Sequence, residues 1–230
     1  MASTGTYSFG PAASNLTLTA FSRIKIRRAE ITSQHMADAD TEANLLQVEM
    51  GNRVPNLWRQ EIYSISLTES DADYDLPARM VGIRDAYLTT TSGGVSTDRV
   101  VWPLSAAEYD AQPNKTLEAP PQSYYVQKSI TPTITLWPVP DGAATYTLKL
   151  RLMTQIQDVS QKSGTTLDMP YRWLDVYVAG LAYRLSRIYA TDLEAVREKD
   201  FEKAWANAAT LDVEDNTAVY ISPSFGGYWR

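Results

Sequence analysis

The sequence predicts an α+β fold: N- and C-terminal helices packed as a helical bundle, a central antiparallel, sandwich-like β-region, and an extended C-terminal arm. Two observations carry this. Apolar residues recur at helical spacing near both ends, at Leu18, Phe21 and Ile24 and again at Leu174, Tyr177, Val178, Leu181 and Leu185. Between them the period is two: Tyr63, Ile65 and Leu67 alternate with Ser64, Ser66 and Thr68, and Tyr146, Leu148, Leu150 and Leu152 alternate with Thr145, Thr147, Lys149 and Arg151. The expected organisation is a flexible N-terminal arm over 1–14, one domain over 15–215 with helices at 15–60 and 170–213 and a β-region at 61–155, and an extended arm over 216–230.

Residues 1–14 are rich in Ser, Thr, Gly and Ala and lack periodicity, so little fold contribution is expected of them. The first helix is expected over 16–32, carrying Arg23, Lys25, Arg27 and Arg28 as a basic cluster. Asp38 or Asp40 suits the cap of a second helix through Glu42 to Met50, with Gly51 as its stop and Val54-Pro55 preventing continuation. After the first strand, Asp71, Asp73 and Asp75 read as a turn, and 81–91 as a strand interrupted at Gly82.

Ser92-Gly93-Gly94 permits the positive φ values of a reversal, with 99–102 as the return strand. Residues 106–111 read as one short helical turn, 113–121 as a proline-fixed loop, and 123–128 as a strand. The run Ile134-Thr135-Leu136-Trp137-Pro138-Val139-Pro140-Asp141-Gly142 and the alternating strand after it are expected to form a hairpin. Pro170 suits the first turn of the long helix that buries Leu174 through Ile188 at helical spacing. Thr191 or Asp192 can cap a last helix with Leu193, Phe201, Ala204, Trp205, Ala208 and Leu211 as its packing stripe, and Trp58, Trp173 and Trp205 belong to the core.

Composition narrows function mainly by exclusion. With 44% apolar residues the chain can bury a sizeable core, and no apolar run reaches the roughly 18 residues of a membrane span. The first six residues lack the basic and apolar regions of a signal peptide, so the expected protein acts without secretion and its Asn15-Leu16-Thr17 and Asn114-Lys115-Thr116 sequons stay unmodified. Cysteine is absent, which excludes disulfides, thiolate nucleophiles and cysteine metal sites. Lys and Arg number 21 against 27 Asp and Glu, a formal charge of −6 that argues against bulk phosphate neutralisation but tolerates DNA sliding past.

No catalytic constellation emerges. His35 is the single histidine, so neither a triad nor a transition-metal site is expected, and no cofactor is implied. Asp71, Asp73 and Asp75 faintly follow a calcium loop but lack its glycine and its twelfth-position glutamate. A carboxylate hydrolase acting on cell wall and a carbohydrate-binding β-module with exposed tryptophans are the alternative readings. The basic cluster at 23–28 fits a solvated helix face or an acidic partner surface better than phosphate, and Ser92-Gly93-Gly94 lacks the lysine and spacing of a phosphate loop. The aromatic set after the last helix, Tyr220, Phe225, Tyr228 and Trp229 with Ile221, is suited to docking against its own chain or a partner.

Four motifs in a fixed order then point to a family. The helix pair ending near Asn56-Leu57-Trp58, then Tyr74-Asp75-Leu76-Pro77, then 134–140, then Leu167-Asp168-Met169-Pro170-Tyr171-Arg172-Trp173-Leu174 leading into Ala179-Gly180-Leu181-Ala182, resembles tailed-phage head-to-tail adaptors. These include the tail accessory and tail tubular proteins of short-tailed phages. The resemblance spans roughly residues 15–212 and implies a structural, non-catalytic virion protein, assembled in the host cytoplasm and bound to no membrane. It further implies a homo-oligomeric ring of about twelve copies beneath the portal, which extends the DNA channel and presents a platform to the downstream tail or nozzle protein. By position and character, Tyr220, Ile221, Phe225, Tyr228, Trp229 and Arg230 are then the expected portal grip. Arg23, Lys25, Arg27 and Arg28 become an expected ring or portal contact, and Ser92, Gly93 and Gly94 an expected tail-facing loop.

Overall fold

A computed structural model of the chain describes residues 9–53, 57–161, 164–210 and 212. Its helical half is organised around α4 (Leu174–Tyr189), which buries eleven of its 16 residues. A helix apolar around most of its circumference needs neighbours on several sides. Those neighbours are α1 (Ala13–Arg23), α2 (Ser33–Arg53) and α5 (Glu194–Ala209). Leu16, Ala20 and Phe21 of α1, Ala39, Ala43, Leu46 and Met50 of α2, and Phe201, Ala204, Trp205 and Ala208 of α5 close one core with Trp173 and Tyr177. At Gly180 the side chains of α2 and α5 press against α4: an added Cβ would lie 2.7 Å from Leu46 Cδ1 and 2.9 Å from Phe201 Cε2.

The β half is two four-stranded sheets around a second core. One sheet runs β1 (Gln60–Ser66), β8 (Thr145–Thr154), β3 (Met80–Ser92), β4 (Val95–Val100); the other runs β2 (Asp73–Asp75), β7 (Thr133–Trp137), β6 (Ser123–Gln127), β5 (Trp102–Leu104). Every pair is antiparallel except β5 with β6. Alternation sends Leu88, Leu148, Leu150 and Leu152 from one sheet against Tyr124, Ile134 and Leu136 from the other, as in a sandwich. The expected irregularity at Gly82 is a register shift between β3 and β8. Gly93 and Gly94, at φ +57° and +81°, form the expected reversal between β3 and β4. The short α3 (Ala106–Asp110) is capped by Ser105, whose Oγ accepts from Glu108 N while Glu108 Oε2 accepts from Ser105 N.

Several expected boundaries move. The first helix stops at Arg23 rather than 32: the chain turns through Ile24, Lys25 takes φ +67°, and 28–30 form one 3₁₀ turn. The basic cluster therefore does not share a helix face. The second helix begins at Ser33, ahead of Asp38 and Asp40, and it continues through Gly51 to Arg53. Gly51 does not terminate the helix; a Cβ there would meet Arg59 Nη1 closely, at 3.1 Å. Part of the aspartate run, 73–75, is strand and not turn, paired with β7.

The hairpin expected between 134–142 and the following strand is absent, because β7 and β8 belong to different sheets. Pro138 and Pro140 have no N–H to continue a ladder. Val139 between them pairs elsewhere, donating to Leu117 O at 2.9 Å and accepting from Ala119 N at 2.9 Å. The return strand also divides: β4 ends at Val100, Val101 turns inward at 1% exposure, and β5 resumes in the other sheet. No side chain caps α5; a 3₁₀ turn over Thr191–Leu193 leads into it. Trp173 and Trp205 are buried and Trp58 half-buried, whereas Trp102 is 66% exposed and Ile188 49% exposed beyond the end of the α4 stripe. Leu211 lies outside the described residues.

Candidate functional site

The bundle and the sandwich meet at Arg59, in the 3₁₀ turn Leu57–Arg59 that precedes β1. The residue is 4% exposed. Nε donates to Thr154 O at the end of β8 (2.5 Å), Nη1 donates to Gly51 O in α2 (3.2 Å), and Thr154 Oγ1 donates to Arg59 O (3.1 Å). One guanidinium thus ties the last turn of α2 to the last residue of β8. Burial pushes its pKa below the ordinary arginine range, and the Asp168 carboxylate pulls the other way.

Two clefts open on either side of Arg59. The first, of about 350 Å³, is bordered by Trp58, Gln60, Asp168 and the Arg79–Glu61 pair, whose Arg79 Nη2 lies 2.9 Å from Glu61 Oε1. The second, of about 250 Å³, lies between Asn44, Gln47 and Val48 of α2 and Val81, Ile156 and Asp158. Three buried donors at these clefts, Gln47 Nε2, Trp58 Nε1 and Gln60 Nε2, have no hydrogen-bond partner among the described residues. Such atoms are costly to bury unpaired.

Ion pairs hold the bundle on its α2 side. Arg184 reaches Glu42 at 3.0 Å and Glu49 at 2.8 Å, and Arg53 reaches Glu49 at 2.7 Å and Glu202 at 2.8 Å while lying over the Phe201 and Trp205 rings. His35 is absorbed in the same way. Its Nδ1 accepts from Thr32 N at 3.1 Å at the start of α2, and its ring sits 4.5 Å from that of Tyr189 and 5.8 Å from that of Phe21. Tyr189 donates to Asp38, and burial together with that carboxylate pushes the phenol up to about 12.

The aspartate run serves its own turn and strand. Asp71 Oδ1 accepts from Asp73 N at 3.4 Å and Asp73 Oδ1 accepts from Thr135 Oγ1 at 2.5 Å. Among the described residues no group of three or more His, Cys, Asp or Glu is placed to hold a metal ion. No described helix is long and apolar enough to cross a membrane.

The residues singled out from sequence fall in three places. Arg23 is committed to Asp175 at 2.6 Å, leaving Lys25, Arg27 and Arg28 exposed on the turn after α1. Ser92, Gly93 and Gly94 are exposed at the tip of the β3–β4 ribbon, next to Val95 at 66% exposure. Tyr220, Ile221, Phe225, Tyr228, Trp229 and Arg230 lie outside the described residues. Of the two described groups, the basic residues belong to the helical half and the glycine loop to the β half. Sequence reading passed over Arg59; its only local signal is a basic residue beside Trp58 at the mouth of a strand.

A family model described as SU10 adaptor protein matches residues 17–223, which takes in both the bundle and the sandwich. No curated protein matches the chain.

Proposed function

The chain belongs to the SU10 adaptor protein family, and on that premise we propose how it serves as a phage head-to-tail adaptor and structural component of the virion. The observation that carries the reading is the extent of the match, residues 17–223, over helical and β halves alike. We take 15–215 as one adaptor domain that assembles into a ring of about twelve copies against the portal. The bundle forms the ring body and the sandwich reaches toward the next tail component, with Ser92, Gly93 and Gly94 at the reaching tip. Two cores joined through Arg59 suit a part with a different partner at each end.

Residues 216–230 make the portal grip, with Ile221, Phe225, Tyr228 and Trp229 as anchors filling pockets between portal subunits. Lys25, Arg27 and Arg28, exposed together, add a ring or portal contact with acidic partner surface. The formal charge of −6 keeps packaged or ejected DNA from sticking to the channel. Electron microscopy of the purified chain mixed with its portal tests this. A ring seated on the portal is expected; a chain that stays monomeric and never joins portal rings sinks the reading. Deleting 216–230 should leave the unfolding curve unchanged and weaken portal attachment, whereas an unfolded product would make that segment ordinary core.

A further inference from the structure

The sheet β1–β8–β3–β4 ends in two strands, β1 and β4, that have no neighbour on their outer side among the described residues. A bare edge is a template for another strand, and proteins blunt it with lysine, proline, bulges or free charges. Neither edge strand carries lysine or proline, and neither of their ladders shows a register shift. The charges of β4 are drawn back into their own chain: Asp98 Oδ1 accepts from Thr89 Oγ1 at 2.6 Å, and Arg99 Nη2 donates to Pro121 O at 2.7 Å. On β1, Glu61 is held by Arg79.

Hydrogen bonding fixes which backbone groups face the open edges. Val101 N donates to Ala86 O and Leu67 N to Tyr146 O, each at 3.0 Å. Bonding residues alternate along an antiparallel ladder, so the N–H and C=O groups of Ser96, Asp98 and Val100 on β4, and of Ile62, Ser64 and Ser66 on β1, point away from the sheet. The side chains of these six share one face, the one turned away from Leu88, Leu148 and Leu150. On that face Ile62 is 56% and Val100 55% exposed, an apolar residue on each edge. Because four strands alternate in direction, β1 and β4 run opposite ways.

We propose that β4 of one copy pairs antiparallel with β1 of a second copy, continuing the sheet from chain to chain. The occupant follows from direction, backbone and side chains together. Setting Val100 opposite Ile62 joins the two exposed apolar residues, places Asp98 opposite Ser64 and Ser96 opposite Ser66, and aligns outward N–H groups with outward C=O groups throughout. On the core face the same register sets Arg99 opposite Tyr63 and Val95 opposite Leu67, and no like charges meet. Pairing β4 with β4 in full overlap would instead set Asp98 against Asp98, and β1 with β1 would leave Ile62 opposite Ser66. Because the two edges differ, the contact is head-to-tail, the kind that closes into a ring. The inference rests on the ring reading of the proposed function and brings the sandwich into the ring contact.

The chain has no cysteine, so introduced thiols are the only ones it carries. Within one copy two strands separate β1 from β4, a gap of about 14 Å, whereas opposed residues of paired strands lie about 5.5 Å apart. Val100→Cys and Ile62→Cys are placed on the same chain and separately, and each protein is treated with a bifunctional thiol reagent shorter than that gap under conditions where the ring forms with portal. A ladder of covalent oligomers from the double variant, with monomers from each single variant, is the expected result. Dimers from Val100→Cys alone would mean that β4 meets β4, and a product with the mass of chain plus portal would give the edge to the portal; either overturns the proposal. A ring visible by microscopy with no ladder overturns it while leaving the ring reading intact; no ring from the unmodified chain with portal overturns both. In parallel, Asp98→Pro removes one outward N–H, a loss that an edge strand tolerates, so the unfolding midpoint should hold while the ring is lost. An Asp98→Pro ring at undiminished yield overturns the pairing as well.

Discussion

Replacing Gly180 by alanine tests how tightly α4 is gripped between α2 and α5. The new Cβ would sit 2.7 Å from Leu46 Cδ1 and 2.9 Å from Phe201 Cε2, against a comfortable carbon–carbon separation of about 3.5–4.0 Å. Leu46 and Phe201 are both 0% exposed, so neither can swing aside into water. Overpacking of this kind costs about 1–3 kcal/mol. Exchanging glycine for alanine inside a helix gains about 1 kcal/mol, which leaves a net loss near 1 kcal/mol. Leu46→Ala alone should cost about 2–5 kcal/mol through lost transfer energy and the cavity left behind. In the double variant the methyl at 180 occupies part of that cavity, so the pair should be more stable than the sum of the single losses by about 1 kcal/mol. Urea unfolding followed by the emission of buried Trp173 and Trp205 reads all three. A Gly180→Ala chain stabilised by the full helix-propensity gain, or strictly additive losses, would refute the close approach.

Two further outcomes follow from the same geometry. Tyr189 has a raised pKa, so the fold favours its neutral phenol: that stabilisation is complete below the ordinary phenol range near pH 10 and is lost as pH rises toward about 12. Thermal melts from pH 9 upward should therefore fall less steeply for Tyr189→Phe than for the unmodified chain, in which buried Tyr124 and Tyr177, also pushed up, titrate in both; identical slopes would remove Tyr189 from the account. Arg59→Met keeps the length of the side chain but leaves Gly51 O and Thr154 O without their donor, at a cost of about 2–3 kcal/mol. Hydrogen exchange should then rise at the end of α2 and the end of β8 together, and a rise in one alone would show that Arg59 does not couple the halves.

Much of the fold is legible locally. Leu148, Leu150 and Leu152 alternate over a length a strand needs, Leu174 through Leu185 repeat at helical spacing, and Gly93-Gly94 can turn where other residues strain. Helix ends were harder to place. Gly51 carries the ordinary signature of a stop, yet α2 runs on to Arg53, with the guanidinium of Arg59 packed 3.1 Å from where a Cβ at 51 would lie and bonded to Gly51 O. Lys25 shows the reverse: apolar spacing continued past it, but the chain left the helix at Ile24 and took a left-handed conformation there.

The candidate contact surfaces divide the same way. The aromatic set after 216, the basic residues near 23–28 and the glycine loop are visible as residue types, because composition alone marks them. The uncharged outer face of α2, at Ala37, Thr41, Leu45 and Val48, is not, since acids lie among these residues in the sequence and only pairing of Asp38, Asp40, Glu42 and Glu49 with Tyr189, Gln161 and Arg184 turns them off that face. Sequence by itself determined the α+β class, the cysteine-free chemistry, the order of elements and the family they resemble, because periodicity and turn residues act over a few positions. Only the tertiary structure decided that β7 and β8 part into different sheets, that α2 runs through Gly51, and that one buried arginine joins two cores. Each of those depends on a partner far along the chain, and no local pattern records which partner a strand edge or a buried donor will meet.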